Sequence, residues 1–245
     1  MKKWVRRGAI VLLVILGIAF GGFYIWSSFT YSPSDLMNQQ VERNSYVREE
    51  ENWYRFGSKS AEIGYILYPG AKVEPESYAY YAQQLVQSNK DVTVIVPSVR
   101  FNIALLDRNR AIEIIERYPD VDKWIVGGHS LGGVAASDVV GRSSHIEGLI
   151  LFASYPMEGS NLRDEELPVL SVWATEDGLT TKDEIDISRD LLPAHTEFVS
   201  IQGGNHAQFG MYGEQRGDGT ATIDVLQQQQ ILIEETNELI ETVRD

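Results

Sequence analysis

The chain of 245 residues contains no cysteine. This absence excludes a disulfide framework, a thiolate nucleophile and a cysteine-ligated metal site. Metal and dinucleotide signatures are missing as well, since the sequence has no HExxH motif, no carboxylate cluster at ligand spacing and no GxGxxG motif after an apolar strand. We therefore expect neither a metal nor an organic cofactor.

Positive charge is also scarce. The chain has 21 Lys and Arg against 35 Asp and Glu, a net charge of −14. Residues 1–26 hold four of the cations and none of the acids, so the remaining residues carry −18. Such a surface repels polyanions, and we expect no nucleic-acid partner. Solubility is the simplest explanation of the acidic surface.

The N-terminus differs from the rest of the chain. Four cations (Lys2, Lys3, Arg6 and Arg7) precede an uncharged run of 19 residues, Gly8 to Trp26. A helix of that length, at about 1.5 Å per residue, nearly spans a hydrocarbon core of about 30 Å. The run exceeds the roughly 7–15 apolar residues of a cleaved signal peptide, so it favours an uncleaved signal-anchor, with a cleaved signal as the alternative. The cationic flank predicts residues 1–7 in the cytoplasm and a single-pass cell-membrane protein whose domain is extracytoplasmic.

The chain after the anchor alternates between strand and helix patterns. Residues 27–52 are polar and are interpreted as a stalk or linker, or as a short helical tether between membrane and domain, and residues 53–245 as the folded domain. Predicted strands cover 53–57, 61–68, 92–96, 123–127, 146–153, 169–175 and 195–201, the first of them an edge strand. Predicted helices cover 75–89, 105–118, 131–141, 182–192 and 223–243. The alternation predicts an α/β fold with a mostly parallel sheet and helices on both faces. Ligands of such sheets bind beyond the carboxyl ends of the strands, so the chemistry is expected in the loops there.

One of those loops carries a nucleophile motif. Residues 128–132, Gly-His-Ser-Leu-Gly, fit the G-x-S-x-G nucleophile elbow between an apolar strand and a helix. Small flanking residues let strand and helix approach, the sharp turn exposes the Ser130 hydroxyl, and the N–H of Leu131 faces a developing oxyanion. Glycine-rich strand–helix turns also bind phosphate or only turn the chain. The strand before the motif and the helix after it favour the elbow.

The candidate general base is identified by where the histidines lie relative to the predicted strands. The chain has four histidines, and only His206 follows the carboxyl end of a predicted strand in an open loop. His129 lies inside the elbow with its side chain expected to point away from the nucleophile, whereas His145 and His195 come before strands. We predict that a ring nitrogen of His206 lies within about 2.6–3.5 Å of Ser130 Oγ. A loop histidine without a role is the alternative.

The acid is chosen in the same way. Glu176 and Asp177 follow a predicted strand directly, and adjacent residues there point to opposite sides, so one of them is expected to orient His206. Asp177, which a glycine follows, is the favoured choice over Glu176, and Asp183 is a more distant alternative.

The order Ser130, Asp177, His206 on successive strand ends resembles that of the α/β-hydrolases. The similarity is to the compact, dienelactone-hydrolase-like group and extends over about residues 60–240, through the segments 68–73, 128–132, 175–178 and 204–206. It implies an α/β-hydrolase fold, acyl transfer, and a second oxyanion donor at the N–H of Ala71 beside Leu131. The chain has no HGGG motif and carries serine where dienelactone hydrolases have cysteine, so the resemblance does not imply that substrate.

Together these patterns predict a serine carboxylesterase that cleaves a small-molecule ester through an acyl-enzyme. An acyltransferase or thioesterase with the same triad is the alternative, and a non-catalytic binding module on this fold is a further one. Lys72 and Asn102 lie just past strand ends and are candidate substrate-binding residues, or else ordinary loop residues. The connection from Ala153 to Leu167 is too short for a large lid, which favours small or soluble esters. The segment 211–220 is expected to form one wall of the site.

Overall fold

The computed structural model of the protein describes residues 2–42, 44–49 and 52–245. Its helices are α1 (Lys2–Ser27), α2 (Asp35–Gln40), α3 (Ala79–Ser88), α4 (Arg110–Arg117), α5 (Leu131–Ser137), α6 (Lys182–Ser188) and α7 (Val225–Arg244). Its strands are β1 (Tyr46–Glu49), β2 (Trp53–Phe56), β3 (Ile63–Tyr68), β4 (Val92–Pro97), β5 (Lys123–His129), β6 (Ile146–Phe152), β7 (Val169–Ala174) and β8 (Glu197–Ile201).

The strands form one sheet in the order β1-β2-β4-β3-β5-β6-β7-β8. The pairs from β4 to β8 are parallel, and the pairs β1–β2 and β2–β4 are antiparallel. The strands β3 and β4 are buried at every residue, as their continuous apolar sequences predict for strands covered on both faces. The mostly parallel α/β architecture expected from the sequence is confirmed.

Two apolar cores cover the faces of the sheet. Tyr65 and Leu67 of β3 pack with residues of α3 and α7 on one face, whereas the intervening Ile66 packs with residues of α4 and α5 on the other. This alternation follows from the two-residue period of a strand. The predicted placement of helices on both faces is therefore confirmed.

Two predicted helices begin four or five residues later than expected. The segment 75–89 opens with a 3-10 turn, Pro75–Tyr78, before α3. The segment 105–118 contains a separate 3-10 turn, Ala104–Leu106, and α4 starts only at Arg110. The carboxylate of Asp107 accepts a hydrogen bond from the N–H of Arg100 at 3.2 Å, and this bond holds the chain in a loop where helical periodicity predicted a helix.

The described residues 27–42 and 44–49 differ from the predicted stalk because they pack on the folded domain. Met37 of α2 is buried in the core, and Tyr31 pairs with Val73 in a parallel β-bridge. Strand β1 pairs with β2, so the prediction that residues 53–57 form an edge strand is wrong. Apolar side chains spaced between polar ones account for the difference, since each finds a buried site on the domain. Residues 50 and 51 of the predicted polar run lie outside the described residues.

Helix α1 extends away from the sheet and exposes its apolar side chains. Among the described residues, Lys3–Ser27 is the one helical stretch long and apolar enough to cross a membrane, and none of its most apolar window is buried. Only its last turns contact the domain, where Phe101 packs edge-to-face against three aromatic rings. The ring centroids of Phe20, Phe23 and Tyr24 lie 6.3, 5.4 and 6.5 Å from that of Phe101.

Candidate active site

The turn between β5 and α5 has the strained geometry of a nucleophile elbow. Ser130 has φ 53° and ψ −125°, a left-handed conformation that is costly for a residue with a side chain. Two hydrogen bonds hold it: its N–H donates to Phe152 O at 2.9 Å, and the Ser154 hydroxyl donates to Ser130 O at 2.7 Å. The half-buried serine thus stands at the carboxyl edge of the sheet, between strand and helix.

Glycines flank this serine because there is no room for side chains. A Cβ on Gly128 would lie 2.2 Å from the carbonyl carbon of Gly132, and one on Gly132 would lie 2.4 Å from Tyr68 O. Both contacts are with backbone, which cannot move aside cheaply. The close approach of β5, α5 and the loop after β3 therefore depends on these two glycines.

Substitution of Gly128 tests this packing. We expect Gly128→Ala to lower the free energy of unfolding by about 1–3 kcal/mol through overpacking, measured by urea unfolding of the detergent-solubilised chain with tryptophan fluorescence. Gly159→Ala is the matched control, because a Cβ there meets nothing within 4 Å. A Gly128→Ala protein as stable as the control would contradict the steric explanation of the elbow.

The structure brings His206 and Asp177 together. His206 Nδ1 lies 2.8 Å from Asp177 Oδ2, and both side chains are almost fully buried. The other carboxylate oxygen, Oδ1, accepts hydrogen bonds from the N–H groups of Leu179 and Thr180 at 2.8 and 2.7 Å. With Nδ1 donating to the carboxylate, His206 Nε2 is left as the atom able to accept a proton. Glu176 is exposed and accepts a hydrogen bond from Thr175 instead.

His206 also lies next to the elbow. The ring centroid of His129, the residue before Ser130, is 4.5 Å from that of His206. In the described part of the chain Ser130 Oγ makes no hydrogen bond with His206, so the predicted serine–histidine contact stays a prediction. Such bonds are often long or poorly aligned in a free enzyme and tighten when the substrate is bound.

Two backbone N–H groups beside the elbow are unpaired. Within the described residues, the N–H groups of Ala71 and Leu131 have no hydrogen-bond acceptor. The two neighbours of Ala71 are paired, since Gly70 N–H donates to the Tyr78 hydroxyl at 2.9 Å and Lys72 N–H donates to Asn102 O at 2.7 Å. Two free donors on adjacent loops are what an oxyanion hole requires.

A buried chain of hydrogen bonds joins these two loops. The Tyr78 hydroxyl accepts from Gly70 N–H, and its own proton is left to donate to His129 Nδ1, 2.9 Å away. Burial, together with the neighbouring His206, holds the pKa of His129 well below its ordinary value. Burial raises the pKa of Tyr78, so both groups are neutral at physiological pH. The side chain of His129 therefore faces Tyr78 and does not serve as a second base.

Asp218 organises the loop that carries His206. Its carboxylate accepts hydrogen bonds from four backbone N–H groups, those of Gly178, His206, Ala207 and Gly219, at 2.8–3.2 Å. It thereby ties the His206 loop to the loop after β7 that holds Asp177. The segment 211–220 is predicted from the sequence to form one wall of the site, but that prediction does not include this role of Asp218. The sequence feature that could have indicated this role is an acidic residue between two glycines, Gly217 and Gly219.

The two candidate substrate-binding residues both contact α1. Lys72 Nζ lies 4.5 Å from the ring centroid of Trp26, and the Asn102 side-chain amide donates to Ser27 O at 3.4 Å. Both residues have left-handed backbone conformations, with φ 63° for Lys72 and 55° for Asn102. Their predicted contact with substrate stays a prediction.

One acidic group among the described residues has a ligand-like arrangement. The carboxylate oxygens of Glu197, Glu235 and Glu238 lie within 4.8 Å of one another. Burial and the neighbouring Glu238 raise the pKa of Glu235. Glu197 begins β8, so this group lies at the edge of the sheet opposite to the elbow and takes no part in the site.

Comparisons with known proteins point to one family. The model of the "Alpha/beta hydrolase family" matches residues 64–230. A comparison with the curated proteins finds no significant match. Among solved structures, the chain is similar to a thermophilic esterase from Thermogutta terrifontis, with 12% identity, a TM-score of 0.58, and 79% of this chain and 93% of that chain covered. It is also similar to Est1E from Butyrivibrio proteoclasticus, with 12% identity, a TM-score of 0.55, and 80% of this chain and 98% of that chain covered. The mouse alpha/beta hydrolase domain-containing protein 10 is similar with 13% identity, a TM-score of 0.58, and 81% of this chain and 98% of that chain covered.

Proposed function

Because the chain belongs to the alpha/beta hydrolase family, we propose that it is a carboxylic ester hydrolase with the catalytic triad Ser130, Asp177 and His206. The observation that carries this proposal is the buried 2.8 Å contact between His206 and Asp177, beside a serine held in a left-handed turn. A buried acid bonded to one ring nitrogen fixes the tautomer in which the other nitrogen is a base. We further propose that α1 anchors the enzyme in the cell membrane with its domain outside the cytoplasm.

The proposed reaction has two halves. Ser130 Oγ attacks the ester carbonyl, and its proton passes to His206 Nε2 while Asp177 stabilises the imidazolium that forms. The negative charge on the carbonyl oxygen is bound by the N–H groups of Ala71 and Leu131. The tetrahedral intermediate expels the alcohol, which takes the proton from His206, and leaves an acyl-enzyme. Water, activated by His206, then releases the acid and restores Ser130.

The thermophilic esterase of Thermogutta terrifontis shares this fold, which supports an ester as the substrate here. The direct test has two parts. A fluorophosphonate should label Ser130 and raise the intact mass by one adduct, and a series of p-nitrophenyl esters of graded acyl length should show turnover. Labelling without turnover of any ester would favour the acyltransferase or thioesterase alternative. Absence of both would indicate a binding module.

Membrane attachment gives a separate prediction. We expect the full chain to remain in the membrane pellet after washing with alkaline carbonate, and a chain lacking residues 1–26 to appear in the supernatant. The shortened protein should still hydrolyse p-nitrophenyl butyrate, because α1 contributes no strand to the sheet. A well-expressed but insoluble or inactive shortened protein would show that α1 is part of the fold.

A further inference from the structure

The segment that follows α1 runs directly to the loop that carries Ala71. Helix α1 ends at Ser27, and Tyr31 N–H donates to Lys72 O at 2.7 Å. Glu74 N–H in turn donates to Tyr31 O at 3.0 Å, which completes a short parallel bridge. Four residues can extend over at most about 14 Å. The end of α1 therefore lies close to the candidate oxyanion donor.

Side-chain hydrogen bonds make this connection rigid. The hydroxyls of Thr30 and Ser32 both donate to Glu74 Oε1, at 2.6 and 2.9 Å. Farther along, Ser34 caps α2 by accepting from Met37 N–H, and Met37 is buried in the core. A flexible tether would let the domain tumble above a membrane, whereas this segment fixes its orientation relative to α1.

The contacts of α1 all lie at the catalytic edge of the sheet. Phe101 and Asn102 follow β4, and Lys72 follows β3, which lies between β4 and β5, so all three extend from the carboxyl ends of parallel strands. These residues contact the last turns of α1 through aromatic packing, a hydrogen bond and a cation over an aromatic ring. The helix thus leaves the domain on the side to which Ser130 is presented.

The chemistry of this side suits a lipid surface. Trp26 and Phe29 are 51% and 68% exposed at the end of α1, and aromatic rings of this kind favour the level of the headgroups. Lys72 lies over the ring of Trp26, and the exposed Arg100 precedes Phe101, which packs on α1, in a domain whose charge outside residues 1–26 is −18. Cations gathered at the anchor end of an acidic domain are suited to anionic headgroups.

We propose that the catalytic edge of the sheet lies against the membrane surface, and that the enzyme takes amphiphilic esters whose apolar chain stays in the bilayer. This inference rests on the proposed function and on α1 crossing a membrane. The short connection between β6 and β7 favoured soluble esters because it leaves no room for a lid that covers apolar substrate. Here the membrane surface takes the place of such a lid, since it holds the apolar chain while the ester bond reaches Ser130.

The test uses the full chain in vesicles of phosphatidylcholine and phosphatidylglycerol. The variant carries twelve Gly and Ser residues inserted between Ser28 and Phe29, together with Phe23→Ala, which removes one of the rings on Phe101. Its activity on p-nitrophenyl palmitate in the vesicles should fall about tenfold or more relative to its activity on dissolved p-nitrophenyl butyrate, because the local presentation of substrate is lost. Comparing the same two esters in both proteins cancels any preference for acyl length. An unchanged ratio would overturn the inference.

Measurements on the wild-type protein distinguish failure of the proposed function from failure of this inference. Hydrolysis of neither ester, without fluorophosphonate labelling, would refute the proposed function and this inference with it. Hydrolysis of the dissolved butyrate alone would overturn the inference and leave the proposed function standing. If the variant loses both activities, the inference is decided by the NBD quenching measurement described next, which does not depend on activity.

The absence of native cysteine allows a measurement that does not depend on activity. A single cysteine is introduced by Arg100→Cys at the catalytic edge, and by Lys90→Cys before β4 at the opposite edge as the matched control. Each is labelled with the fluorophore NBD, and the vesicles contain a lipid with a nitroxide on its headgroup. We expect strong quenching at position 100 and little at position 90. Equal quenching at the two positions, or none at position 100, would overturn the inference.

Discussion

Ser130→Ala is expected to abolish ester hydrolysis, lowering kcat by about 10⁶ as in other enzymes of this mechanism. Without the hydroxyl no acyl-enzyme forms, and the remaining N–H donors and binding contacts give only residual catalysis. The measurement is the turnover of p-nitrophenyl butyrate, with fluorophosphonate labelling followed by intact mass.

Ser144→Ala is the control for this substitution, since Ser144 is exposed and lies before β6 at the opposite edge of the sheet. It should leave both turnover and labelling at the wild-type level. A Ser130→Ala protein that hydrolyses the ester at the wild-type rate, free of contaminating esterase, would refute the proposed function.

Asp177→Asn is expected to lower kcat by about 10⁴ while leaving the fold intact. An amide at this position can donate to His206 Nδ1, which places the proton on the wrong ring nitrogen and removes the base. The Oδ1 contacts with the N–H groups of Leu179 and Thr180 can persist, so the melting temperature should change little. Steady-state kinetics and thermal unfolding of the same preparations provide the measurement.

Glu176→Gln is the matched control, because Glu176 is the adjacent acid and is exposed. It should cost far less activity than Asp177→Asn. If Glu176→Gln proved the more damaging change, the orienting acid would have to be assigned to Glu176, and the pairing of Asp177 with His206 would be structural.

The central strands were predictable because their environment is uniform. The strands β3 and β4 are buried on both faces, so their sequences are continuous apolar runs that require no knowledge of their partners. The ends of helices were less predictable. Helix α4 begins at Arg110 because Asp107 bonds the loop before it, a contact that periodicity does not encode.

The segment between α1 and the sheet could not be derived from its own composition. Tyr31, Met37 and Val41 are separated by polar residues, and the single helical spacing among them, from Met37 to Val41, is too short to predict where the segment packs. Their partners lie far along the chain, as the bridge between Tyr31 and Val73 shows. Strand β1 has only four residues, too few for a periodic signal, and it is stabilised by β2 rather than by its own sequence.

The candidate site was predictable where strand order alone placed its residues. Asp177 and His206 follow neighbouring strands, and in the structure their side chains meet. The contact of Tyr78 with His129 joins residues 51 positions apart, and nothing in either local sequence indicates it. Lys72 and Asn102 also follow strand ends, yet they contact α1. Position after a strand does not indicate which other segments pack against the carboxyl edge of the sheet.

Burial keeps His129 uncharged, and this matters when His206 takes up the proton of Ser130 in the proposed reaction. The two ring centroids are 4.5 Å apart. Two imidazolium ions at that separation would repel by about 4 kcal/mol at an effective dielectric constant of about 20. Because burial holds the pKa of His129 well below its ordinary value, and because Tyr78 already donates a proton to Nδ1, His129 remains neutral. The transient cation on His206 thus lies between a neutral aromatic ring and the negative charge of Asp177, and His129 adds no like-charge repulsion to its formation.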